Sequence, residues 1–361
     1  MKKIRVNLGK RSYDINIASG MFEGLTEEVS KITDKKKTFI ITDSNVNKLY
    51  SNTIEEVLRK KSVYAGKYAF HAGEKHKNLA TIEAGYHAIV KSELDRGSVI
   101  AALGGGVCGD LAGFIAATYM RGIKFVQIPT TLLAMVDSSV GGKTGVDLNE
   151  GKNLIGAFWQ PAAVFVDTKV LETLPDRELL CGFAEVLKYG MISDEKFFEY
   201  LENNIDGIKQ KKCEVYEYII GKCCSIKADI VSQDERENSS RAILNFGHTF
   251  GHAIETVSSY SKYRHGEAVA IGMLMACELG VILGSIDSTV KRRLQKLLQS
   301  LSLQEKAEGL NPKSILDAMS RDKKVKNGKI NFIIPDTKIG QVKILNGVDN
   351  NLLLRAIETQ L

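Results

Sequence analysis

Short apolar runs recur through the first half of the chain: Thr38-Phe39-Ile40-Ile41-Thr42, Ser62 to Phe70, Ser98 to Leu103, Lys124 to Ile128 and Ala163 to Val166. Stretches with helical spacing separate them. Runs of this length, rich in β-branched and aromatic side chains, predict strands, and their alternation with helices is that of βαβ units around a largely parallel sheet. Ahead of them, Lys3 to Leu8 and Tyr13 to Ile17 flank Gly9-Lys10-Arg11, which predicts a hairpin capping the sheet edge. From Asp176 onward the apolar period becomes helical, as in Ala184-Leu187-Tyr189, Val215-Ile219-Ile220 and Leu294-Leu297-Leu298. One β-like pair, Ile330 to Ile334 and Gln341 to Leu345, interrupts the end. Pro175 restricts Leu174 to extended backbone and Asp176 is suited to cap a new helix, so the domain boundary is placed there: 1–175 as an α/β domain, 176–361 as a mainly helical one.

The composition, 44% hydrophobic and 25% charged over 361 residues, is that of an ordinary globular protein and excludes disordered, collagenous and disulfide-scaffold classes. A net charge of +6 over this length is mild, which argues against nucleic acid as the partner and leaves room for a small anionic substrate. The most apolar stretches, Val99 to Met120 and Ala268 to Gly284, are interrupted by Asp110 and Glu278, so no membrane span is expected. No apolar run follows the charged start Met1-Lys2-Lys3, so no secretory signal is expected and the expected compartment is the cytoplasm. The six cysteines, at 108, 181, 213, 223, 224 and 277, contain no Cys-x-x-Cys pair, which fits buried thiols in a reducing compartment rather than a thiolate metal site. The clusters Lys291-Arg292-Arg293 and Lys323-Lys324-Lys326 read as solvated faces.

Candidate chemistry concentrates in a few places. Eleven of the 32 glycines fall between Gly104 and Gly156, so backbone there must approach something closely. Gly104-Gly105-Gly106-Val107-Cys108-Gly109 follows a predicted strand and opens an apolar helix, which can offer main-chain N–H groups to a pyrophosphate. It sits on a middle strand rather than the first, and a glycine-rich turn packed between strand and helix has the same pattern. Asp43, at the end of its strand, can accept hydrogen bonds from ribose hydroxyls or cap the next helix. Three of only six histidines, His248, His252 and His265, lie close together in sequence. His248 and His252 are four residues apart, one face of a helix, a spacing used for zinc; taken alone, such a pair more often marks hydrogen-bonded helix histidines. His265-Gly266-Glu267 supplies a third candidate. Lys143, Lys152 with Asn153, Lys188, Lys227 and Arg241 with Asn245 put cations in glycine-rich or apolar surroundings, which suits a substrate with several negative groups.

The strings Leu103 to Asp110, Ala117-Thr118-Tyr119-Met120-Arg121-Gly122, Gln127 to Ala134, Asp137 to Lys143, Gly151-Lys152-Asn153-Leu154-Ile155-Gly156, Phe183-Ala184-Glu185, Asn245 to His252 and His265-Gly266-Glu267-Ala268 closely resemble the 3-dehydroquinate synthase family, in its order and spacing, over nearly the whole chain. The resemblance implies a Rossmann-like NAD-binding α/β domain, a mainly α-helical metal- and substrate-binding domain, and an active site in the cleft between them. It implies conversion of 3-deoxy-D-arabino-heptulosonate 7-phosphate to 3-dehydroquinate and phosphate, a step of the shikimate pathway, by transient oxidation with NAD, phosphate elimination, re-reduction and aldol closure.

By that match the ligands of Zn2+ or Co2+ are Glu185, His248 and His265, which replaces the His248–His252 pairing that spacing suggests. His252 matches an active-site histidine near the substrate phosphate. Asp43, Asn45, Glu74, Lys77, Gly105, Gly106, Asp110, Thr130, Thr131 and Asp137 match cofactor-contacting positions, and Lys143 and Lys152 adjoin both cofactor and substrate. Asn153, Lys188, Lys227, Arg241 and Asn245 match substrate contacts, as does one of Lys323 and Lys324. Arg121 matches a phosphate contact from the second subunit of a homodimer. Another NAD- and metal-dependent sugar-phosphate cyclase is the first alternative; a metal-dependent alcohol dehydrogenase, less suited to so many lysines, is the second.

Overall fold

In a computed structural model of the chain, which describes residues 1–22, 25, 32, 36–237, 240–322 and 330–361, the first half contains nine strands among the described residues. They are β1 (Lys2–Val6), β2 (Tyr13–Ala18), β3 (Thr38–Asp43), β4 (Tyr64–Phe70), β5 (Val99–Gly104), β6 (Lys124–Pro129), β7 (Lys143–Leu148), β8 (Gly151–Phe158) and β9 (Ala163–Asp167). All but β7 and β8 join one sheet, in the order β1-β2-β9-β6-β5-β3-β4. β1 and β2 are the antiparallel hairpin, at the sheet edge, and every other pairing in this sheet is parallel. β5 and β9 are buried at every position and β3 at all but its last, the pattern of strands covered on both faces; edge strand β4 is mostly half-buried.

Numbered along the chain, the five apolar runs lie in the spatial order 2-1-3-4-5, a doubly wound arrangement whose connections reverse direction between its first and third strands, β3 and β5. Ligands of such sheets bind outside the carboxyl ends of the strands at this reversal. That resolves the position of the glycine motif, which follows β5 and so stands beside the end of β3, where Asp43 is.

The hairpin β7–β8 is not visible in the apolar pattern, because glycine and polar residues fill it. Its strands are in van der Waals contact through their backbones. A Cβ on Gly145 would lie 2.6 Å from the Ile155 carbonyl oxygen, and one on Gly156 would lie 2.2 Å from that of Thr144. Part of the glycine richness thus serves strand against strand, not strand against ligand.

The chain divides into two compact units: Met1–Pro175 with Tyr216–Arg236, and Asp176–Val215 with Glu237–Leu361. The single break expected at 175/176 is therefore interrupted by residues 216–236, most of the helix Cys213–Gln233. Bonds from Asn7 N–H to Ser232 Oγ (3.1 Å), Ser19 N–H to Glu217 Oε1 (2.9 Å) and Lys227 Nζ to Asp137 (2.7 Å) tie this segment to the first unit. Helical periodicity says that such a segment packs, not against what.

The second unit is mainly helical, with one antiparallel pair among the described residues, Asn331–Asp336 and Lys338–Asn346. Its centre is the helix His265–Ile282, which packs against helices Asp176–Ser193 and His248–Val257. By length and composition it could cross a membrane, yet 72% of its span is buried inside the unit, as expected of a core helix apolar all round.

Candidate active site

Three helices of the second unit bring one side chain each to a common point. Glu185 comes from the middle of Asp176–Ser193, and His248 and His265 are the first residues of their helices. The helices can meet there because glycine lies at each crossing. Gly266 N–H points at Cys181 Sγ (3.0 Å), and a Cβ on Gly266 would lie 2.0 Å from the Cys181 carbonyl oxygen, one turn before Glu185. A Cβ on Gly272 would lie 2.1 Å from the Gly247 carbonyl oxygen; Gly247 has φ +80° and immediately precedes His248. Arg177 then ties the starts of two of these helices together through a bidentate pair with Glu267 (2.7 and 2.8 Å). The pair holds the Glu267 carboxyl below its ordinary range although burial alone would raise it.

His248 Nε2 lies 3.4 Å and His265 Nε2 3.7 Å from Glu185 Oε1, and one ligand atom from each of the three residues falls within 4.8 Å of the others. For metal–ligand bonds of about 2.0–2.1 Å, the edge of a tetrahedron is about 3.4 Å, so the donors stand at the separation a single ion requires. Two imidazoles and a carboxylate leave one position open, the donor set of a catalytic rather than a structural site. The Phe246 carbonyl oxygen, 3.1 Å from His248 Nδ1, can only accept a hydrogen bond, which places the proton on Nδ1 and leaves the Nε2 lone pair facing Glu185. The carboxylate is fully buried, with the Lys188 ammonium as an ion-pair partner one turn along the helix. The residues present therefore fit a divalent ion.

His252 lies one turn after His248, with ring centroids 5.5 Å apart, but it is exposed and groups with Glu255 and His265 rather than with Glu185. The pairing suggested by spacing alone is thus corrected: the second histidine beside Glu185 comes from a different helix, which spacing along one helix cannot reveal. Arg241, buried, and Asn245 lie on the short helix Ser240–Asn245 leading into His248, and Asn245 Nδ2 donates to Glu237 Oε1 (2.8 Å). Lys323 and Lys324 lie outside the described residues.

In the first unit, the helix Gly106–Thr118 begins without a side-chain cap, so its first N–H groups point outward at the sheet's reversal point. Gly104 is required sterically, since a Cβ would lie 2.5 Å from that of Cys108, and Gly109 lets the helix pack on Gln127 of β6. Asp43 is the cap of the following helix: Oδ1 accepts from the N–H groups of Asn45 (2.8 Å) and Val46 (3.1 Å), while Oδ2 lies on the Gly104 side. Both readings of Asp43 are compatible with this geometry. Thr130 N–H donates to the Gly104 carbonyl, and the Thr131 methyl lies over Gly105.

Lys77 is buried in the same unit, bonded to Asp110 Oδ2 (2.6 Å) and Asn153 Oδ1 (2.5 Å). Asn153 adopts φ +56°, held there by Asp147, which accepts its N–H (2.8 Å); Lys152 next to it lies 3.5 Å from Glu74. Asp137 occupies a π-helical turn, Ala134–Ser138, a distortion often found at functional sites, and receives Lys227 Nζ on both Oδ1 and its carbonyl (2.7 Å each). Lys143, at the start of β7, and Arg121 are exposed. Met120 and Arg121 both have positive φ, +50° and +66°. Sequence reasoning missed Asp147, Glu237 and Glu255, because a lone carboxylate outside any motif carries no signal of what it will face in the fold.

Sequence models of the N-terminal and C-terminal parts of 3-dehydroquinate synthase match residues 67–181 and 182–325. A 3-dehydroquinate synthase of Thermoanaerobacter sp. (strain X514) is 48% identical over 98% of this chain and 99% of its own length. Among solved structures, the fold is similar to a 2-deoxy-scyllo-inosose synthase complexed with carbaglucose-6-phosphate, NAD+ and Co2+ (TM-score 0.89, 26% identity, 100% of both chains). It is similar as well to ValA, a 2-epi-5-epi-valiolone synthase from Streptomyces hygroscopicus subsp. jinggangensis 5008 with NAD+ and Zn2+ bound (TM-score 0.88, 25% identity, 98% of both chains). Two consecutive family matches, a near-half-identical relative of equal length and a donor set of the expected composition lead to one conclusion: this chain belongs to the 3-dehydroquinate synthase family.

Proposed function

We propose that the chain converts 3-deoxy-D-arabino-heptulosonate 7-phosphate to 3-dehydroquinate and inorganic phosphate, using NAD and a divalent ion, Zn2+ or Co2+. The observation that carries the reading is the triangle of Glu185, His248 and His265 in a chain of this family. When bound, the nucleotide supplies a reversible hydride acceptor, and the ion an electrophile that acidifies a hydroxyl and polarises a carbonyl. The chain's own residues bind and orient. The open N-terminus at Gly105 and Gly106 suits a pyrophosphate, with Asp43, Asn45, Glu74, Lys77, Asp110, Thr130, Thr131 and Asp137 as the other nucleotide contacts.

Lys143, Lys152, Asn153, Lys188, Lys227, Arg241 and Asn245 hold the phosphate and carboxylate of the substrate, and fixing both ends presents one carbon for deprotonation. His252, exposed beside the ligand histidines, orients the phosphate whose own oxygen takes that proton. Elimination of phosphate and closure of the ring follow with the substrate held in place. Arg121, exposed on a left-handed backbone turn, completes the phosphate site of a second subunit in a homodimer. The cytoplasm is the compartment proposed, and six thiols of which five are buried fit it.

The cyclases of similar fold make a second reading worth testing. Purified protein with NAD and zinc is given the heptulosonate phosphate, a carboxylate-free heptulose phosphate or glucose 6-phosphate, and phosphate release is measured. Release from the carboxylate-bearing substrate alone is expected. Release from either of the others in its place would reassign the chain to another cyclase.

A further inference from the structure

We propose that Glu255 is a positioning residue for the metal: its carboxylate accepts the Nδ1 proton of His265 and so turns Nε2 of that ring toward Glu185. The inference rests on the reading that Glu185, His248 and His265 hold the ion. Glu255 Oε2 lies 3.3 Å from His265 Nδ1, on the ring edge opposite the nitrogen that faces Glu185 at 3.7 Å. Glu255 is 5% exposed, so its carboxylate interacts with its neighbours rather than with bulk water. It lies seven residues after His248 on the same helix, two turns along one face. That helix therefore carries one ligand and the brace of another.

The two histidines are braced differently. His248 is held by a neutral main-chain carbonyl that no substitution removes, and His265 by a charged side chain. An ionised carboxylate accepts only, so it fixes the tautomer, and by withdrawing positive charge onto Nδ1–H it makes Nε2 the stronger donor. The rival role for Glu255 is as a ligand itself, since His252, Glu255 and His265 also place donor atoms within 4.8 Å of one another.

The test is metal affinity, measured by chelator competition on the full-length protein with zinc and with cobalt. Glu255→Gln keeps the shape and an acceptor but loses the charge, and should weaken affinity about tenfold; Glu255→Ala should weaken it nearer to about a hundredfold. The cobalt absorption spectrum should keep the shape of the wild type, since no ligand is lost. Unchanged affinity in both variants, or a spectrum showing loss of a ligand, overturns the proposal. Because a variant can fail to fold, the wild-type protein is examined too, by nitrogen-15 NMR of labelled histidine with zinc bound. His265 should show a protonated Nδ1 and a metal-shifted Nε2; the reverse assignment overturns the brace. His265→Ala is the control for the site: if it retains zinc with wild-type affinity, the site reading fails and the brace falls with it, whereas loss of zinc there with unchanged Glu255 variants removes the brace alone.

Discussion

Gly266→Ala is expected to empty the metal site and lower turnover by at least about a hundredfold, in a protein that still folds. The added methyl would lie 2.0 Å from the Cys181 carbonyl oxygen and 2.6 Å from its Cα and carbonyl carbon, all backbone atoms of the neighbouring helix. No side-chain rotation relieves such a contact. The helices Asp176–Ser193 and His265–Ile282 must separate, and the displacement carries His265 away from Glu185, whose facing atoms already stand 3.7 Å apart. Overpacking of this kind destabilises by about 1–3 kcal/mol, which a protein of this size survives, while a misplacement of about 1 Å in a reacting constellation lowers rates about a hundredfold. Metal content, melting temperature and phosphate release on one preparation separate the two effects. A fully loaded, fully active Gly266→Ala would show that the crossing does not set the ligand triangle.

Lys77→Met is expected to destabilise the protein by about 2–3 kcal/mol at neutral pH, below the ~3–5 kcal/mol of a fully buried charged pair because Asp110 keeps some contact with solvent. Burial pushes the Asp110 carboxyl up, and the Lys77 ammonium opposes that shift; for Lys77, burial would lower the pKa, but Asp110 outweighs it and keeps the amine protonated. Without Lys77 the carboxyl rises further. A carboxyl raised in the folded state binds protons there that the unfolded chain has released, so stability falls as pH rises through its range. The deficit of the variant should therefore be largest near neutrality and shrink toward pH ~4, where the ordinary carboxylate takes up its proton. Denaturant titrations of both proteins across this range check the sign. A deficit that grows on acidification would mean that the pair does not hold Asp110 ionised. NAD binding should weaken as well, since Lys77 is itself a proposed nucleotide contact, and substrate binding with it, since Asn153 loses the same partner.

The parts of this fold that sequence makes legible are those where a local pattern and a buried surface coincide. Five apolar runs became five parallel strands; β3, β5, β6 and β9 read clearly because a strand covered on both faces has little room for polar side chains, whereas β4 lies at the edge and is only partly covered. Their spatial order was not legible, and with it the reason why a glycine motif on a middle strand stands beside Asp43. Hairpin β7–β8, which carries Lys143, Lys152 and Asn153, escaped notice because its strands are joined by backbone contact at Gly145 and Gly156 and not by apolar side chains.

In the metal site, spacing pointed to His248 and His252, residues on one helix. The clustering of histidines added His265 as a third candidate; family resemblance supplied Glu185 and chose His265 over His252, residues that meet only through helix crossings at Gly266 and Gly272. Glu255 had no signal in either: its place is set by the packing of two helices against each other, a property of pairs of segments that no single segment contains.

In the proposed reaction, oxidation is borrowed within each turnover and returned. Following inorganic phosphate and reduced nicotinamide together, with NAD and zinc far below the concentration of the heptulosonate phosphate, tests it directly. Phosphate should be released through many turnovers per NAD while reduced nicotinamide stays at or below the enzyme concentration. Reduced nicotinamide rising mole for mole with consumed substrate, and stopping when NAD is exhausted, would contradict the claim and make the protein a dehydrogenase.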